Sequence, residues 1–343
     1  MRYLHSYCIA SLSVCSVYVV YAYIYRSHKL LKTNALSYDR LPSVAYLFLK
    51  CLSNALTRRK GSLYKKSRKR NGEVVYAVHN CRVDVKLLRS FCSATGYGWD
   101  YPDSQYRDIP LCFPQEMCYK LLLLAIADDN FLLSPLGLLC VRQSIKSHQP
   151  VDELKKGPFV LRVQVLVYRL VDAGVEVDVR LSAFSRCESV VWESIITLLS
   201  KNEPQQANKC VAKKENEGEK NEVVLTNAKQ VELSVPLSTG PPCPWSFFDH
   251  WLLFLPAGLL GLKLRPVSSV WMLSVCLAEI EKRDGVGVVT SPVNIVAQFQ
   301  DPLLAPSKVK LLFWKCPTQD LAFQMQQHSS GSKCHLQGMI SRT

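Results

Sequence analysis

The chain has few of the patterns that announce a reaction. Its 14 cysteines run singly from Cys8 to Cys334, with no C-x-x-C pair and no histidine cluster at metal-ligand spacing. That spacing excludes a structural zinc site and gives no disulfide framework. Scattered cysteines behave as small buried hydrophobes, which suits a reducing compartment. There is no G-x-S-x-G elbow, so the sequence does not mark a hydrolase of that type. A P-loop is missing too, and Gly285-Val286-Gly287 lacks both the third glycine of a dinucleotide fingerprint and the surrounding βαβ unit. No metal and no cofactor is implied. Acidic residues are also short: 28 Asp and Glu stand against 42 Lys and Arg, a formal charge of +14. An excess of that size points to an anionic contact, such as lipid headgroups, nucleic acid or a phosphorylated ligand.

What is present suggests a membrane followed by a globular part. Residues 6–25 (SYCIASLSVCSVYVVYAYIY) carry no charge. About 20 helical residues span a bilayer core of roughly 30 Å. Tyr18, Tyr21, Tyr23 and Tyr25 crowd one end, where aromatic rings favour the interface. A cleaved signal peptide is the competing reading, but no small-x-small site closes the stretch. Arg26, Lys29 and Lys32 follow, and then a denser basic run from Arg58 to Arg70. The positive-inside rule then expects a single-pass anchor (residues 1–26), a basic juxtamembrane segment (27–72) and a cytosolic remainder, with residues 58–70 on anionic lipid. The endoplasmic reticulum and the outer mitochondrial membrane fit equally. Nucleic acid is the weaker partner, because the run lacks interleaved aromatics and lies beside the anchor.

Apolar residues make up 48% of the chain, enough for packed domains. Leu111 to Ala127 reads as a buried helix opening near Pro114. Four strands are expected after it: Leu136 to Ile145, Phe159 to Leu170, Val175 to Phe184 and Val190 to Leu199. The third alternates cleanly, with Val175, Val177, Val179, Leu181 and Ala183 on one face. Asp172-Ala173-Gly174 supplies the hairpin turn before it. Lys201 to Gln230 is polar, without an aromatic residue, and reads as a linker. A helix over Val267 to Glu281 and four more strands follow: Pro292 to Gln300, Ser307 to Trp314, Leu321 to Gln327 and Lys333 to Ile340. Trp251 to Leu262 reads as a further helix, although with the following residues it also fits a second membrane span interrupted by Lys263, Arg265 and Pro266. Helix and then four strands, twice over, is an internal repeat.

Several short segments occur in the order known from one family. These are Tyr101-Pro102 through Leu111-Cys112-Phe113-Pro114, Pro135-Leu136-Gly137-Leu138, Val191-Trp192-Glu193-Ser194 before Thr197 and Leu198, and Phe299-Gln300-Asp301-Pro302-Leu303 with Pro306. Leu260-Gly261, Trp271 and Cys276-Leu277-Ala278-Glu279 fall at its helix spacing, and His335-Leu336-Gln337-Gly338 at its closing strand. In these the chain resembles the MaoC-like hydratases and dehydratases of acyl thioesters. The resemblance implies an α+β fold: a tandem, or double, hot-dog, each unit a central helix wrapped by a curved antiparallel sheet. It would place the first unit at 73–200, the linker at 201–230 and the second unit at 231–343. It also implies an acyl-CoA or other acyl-thioester ligand.

Hydration of an enoyl thioester needs a carboxylate and an imidazole on one water, and an N–H on the thioester carbonyl. The family supplies the first two in an Asp-x-Asn-Pro-x-His loop and opens the central helix with Ala-His-Gly-Met. Here the loop falls on Ser246 to Trp251, with Ser246 and Trp251 at the Asp and His positions. Asp249 and His250 are the only nearby pair; the alternative is that Asp249 caps a helix and His250 is an ordinary loop histidine. The helix opens as Val267-Ser268-Ser269-Val270, without the family's His and Gly. Ser268, Ser269 and Trp271 are the candidate substrate contacts at that helix N-terminus, where Ser268 or Ser269 could cap the helix instead. Two functions stay open: a hydratase-like enzyme with a displaced pair, and a non-catalytic module for acyl chains or partners at a membrane surface.

Overall fold

Period-two alternation dictates which face of each strand meets the core, and an apolar run with no polar stripe dictates a helix buried all round. Both patterns organise the computed structural model, which describes residues 18, 20–31, 33, 35–64, 73–99, 101–103, 109–202, 228–236, 265–318, 320–327 and 333–342. In chain order, a π-helical turn (Val20–Tyr25) runs into α1 (Arg26–Leu30), followed by β1 (Ala35–Ser37) and α2 (Val44–Thr57). Next come β2 (Val75–Cys81), α3 (Val85–Ala94), and a first central helix in two pieces, α4 (Phe113–Met117) and α5 (Tyr119–Ala127). Four long strands complete this half: β3 (Leu138–Ser147), β4 (Phe159–Val171), β5 (Gly174–Phe184) and β6 (Val190–Lys201). The second half holds β7 (Lys229–Val235), β8 (Arg265–Pro266), α6 (Ser269–Asp284), β9 (Val293–Phe299), β10 (Leu304–Ala305), β11 (Ser307–Lys315), β12 (Leu321–Gln327) and β13 (Cys334–Ser341).

Eleven strands form one sheet in the order β1-β2-β4-β5-β6-β3-β9-β13-β12-β11-β7. The order reads the same from both ends once β1 is set aside. Each half contributes its helix and then four strands, and the strand after each helix (β3, β9) lies innermost. These two pair antiparallel at the seam, from Arg142 opposite Gln298 to Ser147 opposite Val293. The repeat expected from the sequence is therefore a structural two-fold, and the tandem hot-dog is the fold. The expected inner face of β5 is fully buried: Val175, Val177, Val179, Leu181 and Ala183. The central helices are wrapped in the same way. Every residue of α5 except Lys120 is buried, as is every residue of α6 from Val270 to Glu281.

The N-terminal part differs from expectation. Residues 27–72 were expected to be a basic tether, yet their described portion folds onto the first unit. β1 adds a parallel strand beside β2, and α2 packs along α5. Ser43 caps α2 by accepting the Tyr46 N–H. The Asn54 amide donates to the Ala127 carbonyl at 3.1 Å, and Lys50 pairs with Asp129 at 2.8 Å. Arg58, expected on lipid, is 6% exposed. Its guanidinium donates to the carbonyls of Phe131, Leu133 and Asp128, just past the end of α5. The planar fork of the guanidinium thus gathers carbonyls of the loop that follows the helix. Most of residues 6–25 lies outside the described residues. Among the described residues no helix is long and apolar enough to cross a membrane, so the expected transmembrane helix finds no support there. The polar linker is also shorter than expected, since β6 runs through Lys201 and β7 begins at Lys229.

Candidate functional site

The expected chemistry belongs at the N-terminus of α6. Ser268 is its N-cap, with extended backbone and a hydroxyl accepting the Trp271 N–H at 3.2 Å. The residues before the helix are pinned. β8 pairs antiparallel with β10, and the Val267 N–H donates to the Leu303 carbonyl at 2.8 Å. Trp271 is buried, and its indole N–H donates to the Ala94 carbonyl at the end of α3, 2.8 Å away. Two of the three expected substrate contacts thus have structural work: Ser268 closes the helix, and Trp271 locks it to the first unit. Ser269, half-buried in the first turn, has no such partner among the described residues. Asp249 and His250, with Ser246 and Trp251, lie outside the described residues.

One imidazole was read only as part of a strand. His335, on β13, is buried at a register irregularity opposite Met325 and Gln326. Its Nδ1 lies 3.0 Å from the Asp301 carbonyl. Nε2 is buried and has no hydrogen-bond partner among the described residues. The Asp301–Leu303 turn over it is the one that holds Val267, so this imidazole supports the approach to α6. No sequence signal separates it from an ordinary strand histidine.

At its other end α6 carries a buried carboxylate. Glu281 accepts from the Tyr97 hydroxyl at 3.0 Å and lies 3.5 Å from that of Tyr101. Burial, and then the Glu281 charge, push the Tyr97 phenol well above its ordinary range, so it stays a donor. Glu279 pairs with Lys282 and Arg283 at 2.7 and 2.5 Å. Burial opposes its charge, but the two cations outweigh that and hold its carboxyl below the usual range.

The first unit holds a cavity beside its central helix. It has a volume of about 290 Å³ and lies where α4 and α5 face β2 and β4. Val78, Cys81, Leu121 and Leu161 are buried and make an apolar floor. Met117 and Leu87 are half-buried wall residues, and the rim carries exposed Tyr38, Val44, Arg82, Asp84 and Lys120. Asp84 is already engaged, capping α3 through the Lys86 and Leu87 N–H groups at 2.9 and 3.3 Å. Arg82 and Lys120 make no ion pair among the described residues, so the cavity's edge carries two cations beside the Asp84 and Glu116 carboxylates. Burial pushes the Cys81 thiol up to about 12, so it lines the floor as an uncharged group.

The Val191-Trp192-Glu193-Ser194 run is explained by packing. Trp192 is fully buried, and its indole donates to the Leu111 carbonyl at 2.8 Å, fixing the approach to α4. Glu193 pairs with Arg180 at 3.3 Å on the outer face. The Ser194 hydroxyl accepts from the Gln143 amide at 3.3 Å, and that amide also donates to Gln115 at 2.5 Å.

No family model and no curated protein matches the sequence. Solved structures do match in fold. HtdX of Mycobacterium tuberculosis aligns with a TM-score of 0.58 at 16% identity, over 78% of this chain and 100% of that one. A MaoC-like dehydratase from Phytophthora capsici gives 0.55 at 12%, over 79% and 95%. The full-length peroxisomal multifunctional enzyme type 2 of Drosophila melanogaster gives 0.53 at 13%, over 79% of this chain and 48% of that one. The chain shares the fold of these proteins, one of which is a MaoC-like dehydratase.

Proposed function

We propose that this chain is an acyl-thioester-binding double hot-dog protein, related to the MaoC-like hydratases and dehydratases, that works at a membrane. The cavity beside α4 and α5 carries the binding reading. Its volume, about 290 Å³, is near the lower bound for small-molecule pockets. Its floor of Val78, Cys81, Leu121 and Leu161 suits an alkyl chain, and Arg82 and Lys120 at the rim suit an anionic carrier.

Binding without turnover is the reading that the residues favour. The positions aligned with the family's carboxylate and imidazole read Ser246 and Trp251, and adjacent side chains such as Asp249 and His250 tend to diverge. Ser268, at the helix N-terminus, is occupied as a cap. Residues 6–25 would hold the chain at a membrane, with the double hot-dog on the cytosolic side.

Thermal unfolding of the full-length protein with acyl-CoAs of graded length tests this. The expected result is a midpoint that rises with chain length and stops rising in Met117→Trp, which fills the cavity from its wall. A flat response to every acyl-CoA refutes the ligand. Crotonyl-CoA hydration assayed alongside is expected to be absent. Turnover that His250→Ala abolishes would instead establish a hydratase using that pair.

A further inference from the structure

We infer that α2 and the helical turn before α1 form a face that seats on an anionic membrane surface. The inference deepens the membrane reading above, but it places the contact on folded residues and not on the 6–25 stretch alone.

The sequence of α2, VAYLFLKCLSNALT, is apolar on two sides. Tyr46, Leu47, Cys51 and Asn54 face inward and are buried. Ala45, Leu49, Leu52 and Leu56 fall at i, i+4, i+7 and i+11, one stripe on the opposite side. Leu49 is 54% exposed and Leu56 81%. The single cation of the helix, Lys50, turns to Asp129 at 2.8 Å and does not interrupt the stripe. Large aliphatic side chains at this spacing do not face water on a helix that lacks a partner.

The preceding turn adds a second exposed stripe, from Tyr18 through Tyr21 to Tyr25, with Ile24 beside it. Tyrosine presents an apolar ring and a wet hydroxyl, the combination enriched where hydrocarbon meets headgroups. The two elements are fastened together. The Ser27 hydroxyl donates to that of Ser43 at 3.3 Å and accepts the Ser43 N–H at 3.1 Å. His28 Nδ1 meets the Tyr46 hydroxyl at 2.8 Å.

Charge selects the occupant. Exposed Arg26 and Lys29 continue directly from the tyrosines, and neither is paired among the described residues. Exposed Arg59 follows Leu56 at the far end of α2. An apolar stripe continued by the two cations Arg26 and Lys29 fits a leaflet with anionic headgroups, and it fits a second copy of a chain of charge +14 poorly. Val44 belongs both to the exposed side of α2 and to the lining of the first-unit cavity, so the seated face adjoins that cavity.

The test reconstitutes the full-length protein in phosphatidylcholine vesicles with or without phosphatidylserine, each carrying a lipid with a photoactivatable acyl chain. Adducts are mapped by mass spectrometry. We expect adducts on the peptide spanning 44–57, with a yield that rises severalfold when phosphatidylserine is present. Leu49→Glu/Leu56→Glu should lose them while keeping its unfolding midpoint, since both residues are exposed. Adducts confined to residues 6–25, or surviving in the double variant, would overturn the inference while leaving the anchor standing. Chain-to-chain crosslinks through α2 would overturn it in favour of self-association, and equal yields without phosphatidylserine would remove the anionic surface. Carbonate extraction reads the 6–25 anchor separately: release of the chain refutes the anchor and leaves the α2 adducts to decide the seated face.

Discussion

Replacing Arg58 by alanine tests whether residues 44–64 belong to the fold or merely trail from it. The side chain is 6% exposed and donates to the carbonyls of Phe131, Leu133 and Asp128. Its guanidinium also lies over the Tyr64 ring at 5.5 Å. Burial pulls its pKa down, while Asp129 and Tyr168 oppose the fall. A hydrogen bond to a charged group contributes about 1.5–3 kcal/mol, and each buried carbonyl left unpaired costs about 1–3 kcal/mol. The buried Phe131 and Leu133 carbonyls lose this donor, while the Asp128 carbonyl keeps the Phe131 N–H, so about 2–4 kcal/mol is expected for the substitution. Equilibrium denaturation in urea should show this as a lower midpoint with little change in slope. The neighbouring exposed Arg59→Ala should change stability by less than about 0.5 kcal/mol. A loss below about 1 kcal/mol for Arg58→Ala would refute the docking of α2, and residues 27–72 would return to being a tether.

Other expectations follow from the same contacts. Asp178, despite the burial that opposes its charge, is held below the usual carboxylate range by Arg169 and Thr197, and Glu279 by Lys282 and Arg283. Depressed folded values mean stability that is complete above the unfolded pKa of about 4 and is lost as pH falls through the folded values. Denaturation midpoints should therefore drop below about pH 4, and Asp178→Asn with Glu279→Gln should flatten that drop. Trp192→Phe should cost about 2–4 kcal/mol, from the unpaired Leu111 carbonyl and the space left by the smaller ring, read by the same denaturation. Among the described cysteines, alkylation at neutral pH, followed by peptide mass spectrometry, should modify exposed Cys187 first. Buried Cys51, Cys92 and Cys112, whose thiols burial raises to about 12, should react only on unfolding.

The strands were legible where side chains alternate between a core and solvent. Leu321 to Gln327 was bounded without error, and Val175 to Phe184 within one residue. Strand β7 was not legible, because it begins with Lys229 and Gln230 and lies at the sheet edge, where four of its seven residues are exposed. The segment holding α2 was misread because its flanking charges outweighed its pattern. No composition rule separates Arg58, which is buried against carbonyls, from Arg59, which is exposed. At the candidate site, the N-terminal position of Ser268 was readable from its spacing to the apolar run. Its engagement as a cap is local, through the Trp271 N–H three residues on, whereas the attachment of Trp271 to Ala94 depends on a neighbour 177 residues away in sequence. The orphaned nitrogen of His335 depends on a strand irregularity that side-chain identity does not encode.

The two halves are joined by peptide hydrogen bonds between β3 and β9, and such bonds are indifferent to side-chain identity. Two separate identical subunits meeting along that line would inherit every substitution in duplicate. Here each change falls on one half only. A lobe can discard a reactive group, or gain a greasy slot, while its twin continues to brace it from the opposite edge. The fusion makes specialisation of one lobe structurally cheap.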